Sequence, residues 1–279
     1  MFYSAGLTLS PCARYLRQTM STSSRPLPGR CVFFAVPLAA ALTVVLSSTA
    51  SASVDPYSSG TTGYDYSYVQ CGAAAPQSSF GVVGVNAGYP FTYYNTCLDA
   101  EFAAAAKTGN AAVYVNTGYD PTYTAIDGRH TTLDCANASQ GVTGDSAQQA
   151  AWAVGCSEAQ RDISYATSQA VAQPSAWWLD VEIANSWSTS DLSLNRYAIR
   201  GLIDTLRSST PAPIGIYSTA YQWNLITGGF QPPVDANWLA TGQRNLRRAK
   251  TYCSSTGFTG APLWLVQYVA AGYDHDYAC

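Results

Sequence analysis

Two acidic residues one apart, Asp180 and Glu182, stand inside an otherwise apolar run, Trp177-Trp178-Leu179-Asp180-Val181-Glu182. Side chains alternate along a strand, so both carboxyls face the same way, with Cα atoms ~6.6 Å apart. Acids in such a run are expensive to bury without partners. Two neighbouring carboxylates also disfavour double ionisation, so one keeps its proton more readily while the other stays charged. Glycosidic cleavage needs that division: one carboxyl protonates the leaving oxygen, and the other supports an oxocarbenium-like centre or activates water. The bland alternative is that either acid caps the strand or pairs with an arginine.

A second acidic group, Asp274-His275-Asp276, lies near the end of the chain. If extended, it turns both aspartates one way and His275 the other, so the three do not converge on a metal. One aspartate is expected to join the cleft. The 20 tyrosines and seven tryptophans include Tyr89, Phe91, Tyr93, Tyr119, Trp187, Tyr221 and Trp223, at strand ends or in the loops that follow. Flat aromatic faces suit sugar rings, although most aromatics belong to the core. His130 and His275 are the only histidines, which starves histidine-rich zinc sites and any Ser-His-Asp triad. No glycine-rich phosphate loop is present, so nucleotide binding has no motif behind it. No metal and no cofactor are expected.

The elements around these residues alternate. Phe80–Asn86, Ala111–Asn116, Ala176–Ile183, Pro213–Ser218, Asn237–Ala240 and Pro262–Tyr268 are short apolar runs that read as buried strands. Helix patterns fall between them: Asp99–Lys107, a stretch from Asp145 or Ser146 to about Ala172, Asp191–Ser208, and a basic stretch at Arg244–Cys253. This alternation, without hairpin signals, implies a parallel α/β architecture, and pattern alone leaves a β/α barrel and a doubly wound sheet both open. Residues 53–79, rich in Ser, Gly, Tyr and Ala, read as an extended lead-in. Arg244, Arg247, Arg248 and Lys250 form a basic patch read as a solvated face.

With 47% hydrophobic residues in 279, the chain can build a substantial core. Only 11% is charged, with 14 basic against 17 acidic residues, so a nucleic-acid partner is not expected. Four arginines precede the apolar run Cys31–Leu46, and Ser-Ser-Thr-Ala-Ser-Ala with its A-x-A site follows it, the layout of a secretory signal peptide over residues 1–52. Met20 is an alternative start, and an uncleaved anchor is the alternative fate of the segment. Cleavage removes four of the 14 basic residues and no acid, leaving a net charge of −7. Six cysteines remain: Cys71, Cys97, Cys135, Cys156, Cys253 and Cys279. An even set in an exported chain implies disulfides, and sequence neighbours point to Cys71–Cys97, Cys135–Cys156 and Cys253–Cys279. A secreted monomer, free of the membrane after signal cleavage, is expected.

The order FGVVGVN (80–86), WWLDVE (177–182), IGIYS (214–218) with Tyr221 and Trp223, NWLA (237–240), and LWLVQY (263–268) ahead of YDHD (273–276) resembles the family-25 glycoside hydrolases. It is similar above all to secreted glycoside-hydrolase-like domains related to them. The resemblance covers residues 80–279 and implies a single-domain, modified TIM-type β/α barrel that cuts β-1,4 bonds of peptidoglycan. By position it makes Glu182 the general acid, Asp180 its electrostatic partner, and Asp274 or Asp276 the late aspartate of the muramidases. Asn86, Tyr89, Asn116, Tyr217, Trp223, Gln267 and Asp276 are the expected substrate contacts. Where the family carries an aspartate near the end of its first strand, this chain would have Asn86, which neither carries charge nor acts as a base. Two functions follow: a secreted hydrolase of peptidoglycan or a related wall polysaccharide, or a non-catalytic glycan-binding or wall-associated domain on the same barrel.

Overall fold

The computed structural model describes residues 53–88, 90–270 and 273–279. The expected signal segment 1–52, the alternative start Met20 and the side chain of Tyr89 lie outside the described residues. Eight strands close into a barrel in chain order: β1 (Thr62–Tyr66), β2 (Phe80–Gly84), β3 (Ala111–Asn116), β4 (Trp177–Asp180), β5 (Ile214–Ser218), β6 (Ala236–Gln243), β7 (Leu263–Ala270) and β8 (Tyr273–Ala278). Helices α1 (Leu98–Ala106), α2 (Leu133–Ser139), α3 (Ser146–Ser168), α4 (Leu192–Ser209), α5 (Ala220–Thr227) and α6 (Leu246–Ala249) fill the connections. This is the TIM-type α/β barrel.

Two expectations need correcting. Residues 53–79 are more than a lead-in, because they contain β1, which pairs in parallel with β2 from Gly63↔Phe80 to Tyr66↔Val83. The barrel is also not wholly parallel: β8 runs antiparallel to both β7 and β1. An antiparallel neighbour needs no crossover helix, and β7 ends at Ala270 while β8 begins at Tyr273.

The helices begin where local chemistry says they should. Asp145 and Gln148 form a reciprocal capping box at α3, and Asp191 accepts from the Ser193 N–H to start α4. α3 stops at Ser168, several residues before Ala172.

Residues spaced by two on each strand point inward, and below the site they are large and apolar. Phe80, Val82, Trp178, Trp238 and Leu265 pack inside the barrel with Tyr57, which reaches in from the segment before β1. The Trp178 indole N–H donates to the Tyr57 hydroxyl at 2.9 Å. Gly215 on β5 makes room, since a Cβ there would sit 2.2 Å from the Trp178 ring. The barrel therefore has a solid floor, and the acids face inward toward the rim made by the C-terminal ends of the parallel strands and the N-terminal end of antiparallel β8, the usual side for an active site on this architecture.

Three disulfides join Cys71–Cys97, Cys135–Cys156 and Cys253–Cys279, the neighbour pairing expected, with Cα separations of 5.5, 5.8 and 5.3 Å. Among the described residues no helix is long and apolar enough to cross a membrane.

Candidate active site

Trp178 faces the barrel interior, so Asp180, two residues on, faces it too, one layer nearer the C-terminal rim. There the strand ends assemble a cavity of about 130 Å³ lined by Asp65, Tyr114, Asp180, Glu182, Tyr217, Trp238, Gln267 and Asp274. Gly84 on β2 admits the Tyr114 ring, because a Cβ there would meet it at 2.8 Å. Four of the eight lining residues are acids, and none is basic.

The acids are held by a chain of donors. The Tyr217 hydroxyl donates to Gln267 Oε1 at 2.9 Å, and Gln267 Nε2 donates to Asp65 Oδ2 at 3.0 Å. Beneath Asp65, the Trp238 indole donates to Asp276 Oδ1 at 2.8 Å, and Asp276 is wholly buried. Asp276 Oδ2 has no hydrogen-bond partner, so an ionised Asp276 would leave charge unpaired beside Asp65.

Burial and mutual repulsion give the cluster its proton affinity. Burial, then the charge of Asp274, pushes Asp65 up to about 7, against the Gln267 donor. Asp180 is raised well above the ordinary carboxylate range, first by burial and then by the charges of Glu182 and Asp65. Asp276 is raised well above it by burial and by Asp65, and Asp274 is raised by burial. Protons therefore persist in this group at pH values where isolated carboxyls have lost them.

Glu182 lies just past β4 at the mouth of the cavity, half-buried. Its Oε1 accepts from Gln222 Nε2 at 3.2 Å, and its backbone carbonyl accepts from the Trp187 indole at 2.8 Å. Two larger hollows open on α5. One, about 530 Å³, includes Tyr221, Tyr252 and Phe258, and the other, about 490 Å³, includes Ile183, Trp187 and Leu225. Tyr221 is 71% exposed, which makes it an available flat face for a ring.

The structure thus brings Asp180, Glu182, Asp274, Tyr217 and Gln267 to one cavity and sets Asp276 directly under it. Other expectations are corrected. Trp223 is a core residue, 1% exposed, with its indole N–H spent on the Phe230 carbonyl at 2.9 Å. Phe91 and Tyr119 are likewise buried. Asn86 is not on the first strand and does not line the cavity. Its amide instead extends the ladder between β2 and β3: Nδ2 donates to the Asn116 carbonyl and Oδ1 accepts from the Asn116 N–H, both at 2.8 Å. Asn116 is engaged in the same lock. His130 pairs with Asp127 in an exposed loop, and His275 stacks on Tyr268, so neither histidine lines the cavity.

The residue missed in the sequence is Asp65, which occupies the end of the true first strand. Asn86→Asp should accordingly give no gain in any wall-hydrolysing rate. It should instead lower stability by roughly 1–3 kcal/mol, because it removes a buried donor and adds a charge. Thermal melts and turnover of the folded variant check this, and a faster enzyme would put position 86 back at the reacting centre.

A separate acidic pair, Glu158 and Asp162, lies one turn apart on α3 and is almost fully buried. Burial raises both well above the carboxylate range; the charge of Asp162 raises Glu158 further, while Arg161 opposes the shift at Asp162. Their stability contribution is complete below the unfolded-state values near 4 and is lost as pH rises through the native values. Asp162→Asn should therefore stabilise the protein at pH 7 by roughly 1–2 kcal/mol and do nothing at pH 3. Paired melts at the two pH values test this, and equal effects at both would contradict it.

No family model matches this chain, and no curated protein does. Solved structures of lysozymes and muramidases are similar to it. A family GH25 lysozyme from Aspergillus fumigatus is 16% identical, with 79% of this chain and 94% of that chain covered and a TM-score of 0.49. A bacterial lysozyme from Streptomyces coelicolor is also 16% identical, with 80% and 93% covered and a TM-score of 0.48. A glycosyl hydrolase 25 of Streptococcus pneumoniae is 18% identical, with 78% and 84% covered and a TM-score of 0.46. At these identities and scores the likeness carries no argument about activity. The barrel rests on its own strand pairing, and the chemistry rests on the cavity.

Proposed function

We propose that this protein is a secreted glycoside hydrolase acting on peptidoglycan or a related wall polysaccharide. The observation that carries the reading is the closing of Asp65, Asp180, Glu182 and Asp274 around one cavity without a basic residue. Such a cavity repels anions and favours a positive charge developing on a sugar ring. Glu182, at the mouth, would protonate the leaving glycosidic oxygen. Asp65 and Asp180 lie below, where the reacting ring carbon would become cationic. In its ionised form either carboxylate would stabilise that positive charge, and the charge in turn favours the ionised form.

The three disulfides suit an oxidising, extracellular setting. A non-catalytic glycan-binding role drew its support from Asn86, and Asp65 removes that support, since the first strand does carry an aspartate. The test is a zymogram of the disulfide-bonded, mature protein on Gram-positive cell walls. A cleared zone is expected, and binding without clearing would favour the non-catalytic alternative.

A further inference from the structure

We propose that Gln222 is the positioning residue for Glu182, and that it fixes which carboxyl oxygen carries the proton to the leaving group; this rests on the hydrolase reading above. Gln222 enters the site from the first turn of α5, where Thr219 caps the helix by accepting the Gln222 N–H at 3.0 Å. Its side chain then makes two contacts of opposite kind. Oε1 accepts from the Ile183 N–H at 2.7 Å, and Nε2 donates to Glu182 Oε1 at 3.2 Å.

An amide has one accepting end and one donating end. The Ile183 N–H can be met only by the oxygen, so the nitrogen must face Glu182 and the amide cannot flip. A carboxyl oxygen that already accepts a hydrogen bond is the poorer place for the acid proton, which is thereby assigned to Oε2. Once that proton has gone to the leaving oxygen, the new carboxylate finds a donor already in place, and charge-assisted bonds are the stronger ones. The backbone between the two contacts is pinned as well. Ser218 Oγ donates to the Val181 carbonyl at 2.7 Å and the Trp187 indole to that of Glu182, so Glu182 is held firmly although it lies beyond the strand.

The experiment compares two substrates. One is a peptidoglycan glycan, whose alkoxide leaving group needs protonation. The other is a dinitrophenyl N-acetylglucosamine oligosaccharide, whose leaving group does not. Gln222→Met, similar in length but without the donor, should lower kcat on the glycan by roughly 10–100-fold, with KM little changed, and leave the dinitrophenyl substrate within about threefold. Gln222→Glu keeps the acceptor for Ile183 but replaces the donor by a carboxyl whose negative charge disfavours ionisation of Glu182, so it should slow the glycan more than the dinitrophenyl substrate and move the alkaline limb of the glycan profile to higher pH, even if the Met variant folds poorly. Equal losses on both substrates, or none on either, would overturn the assignment while leaving the hydrolase reading intact. No turnover of either substrate by the unaltered protein would overturn that reading and this assignment together.

Discussion

Glu182→Gln should lower turnover of a peptidoglycan glycan by roughly 10²–10⁴-fold, the usual loss when general acid catalysis is removed, while glycan binding survives. The amide keeps the shape of the side chain and cannot deliver a proton. Its oxygen can still accept from Gln222 Nε2, so the loop keeps its anchor and the loss reports chemistry rather than misfolding. Binding should hold because the larger hollows beside α5, with Tyr221 and Trp187, are untouched. Isothermal titration together with initial rates separates the two quantities. A variant that binds and turns over normally would remove Glu182 from the reaction.

Asp180→Asn should do two things that rarely go together: slow turnover by about 10²-fold or more and stabilise the fold at neutral pH. The native site raises Asp180 well above its ordinary value through burial and through Glu182 and Asp65. In the unfolded chain it titrates near 4. Between those two values the unfolded chain gives up a proton that the native state keeps, so stability is full at acid pH and is lost as pH rises through that window. Asparagine never ionises and abolishes the loss. Asp180 Oδ1 is buried without a hydrogen-bond partner, so the neutral amide also avoids leaving a charge unpaired there. The gain at pH 7 should be roughly 1–2 kcal/mol, about 2–8 °C in Tm for a domain of this size, and should vanish near pH 3. A variant less stable than the parent at pH 7 would mean that Asp180 holds the barrel together rather than paying a stability cost for catalysis.

Much of this site was legible from residue spacing. Alternation along an apolar run turns Asp180 and Glu182 the same way, and both do line one cavity, although the strand itself ends at Asp180. The same alternation put Asp274 and Asp276 on one face and His275 on the other, as β8 has them. What escaped was set by tertiary pairing. β1 is five residues long, Thr-Gly-Tyr-Asp-Tyr, and follows a Ser- and Gly-rich stretch. Its strand character comes from pairing with β2 and β8 rather than from β-branched content, so it read as a loop and Asp65 passed unnoticed. With β1 hidden in this way, β2 looks like the first strand and Asn86 like the residue at its end. Trp223 misled for a related reason: an aromatic just past a strand end meets ligand or core depending on the direction of the helix it begins, and α5 turns Trp223 inward and Tyr221 outward.

The acid cavity and its place at the barrel rim make one claim above all, that the protein breaks a glycosidic bond of wall glycan by adding water. Digesting purified peptidoglycan in ¹⁸O-labelled water and weighing the released fragments tests it most directly. The account predicts soluble fragments whose new reducing-end sugar carries one ¹⁸O, formed by the unaltered protein and nearly absent with Glu182→Gln. Glycan that is bound but stays intact and unlabelled with the unaltered protein would contradict it.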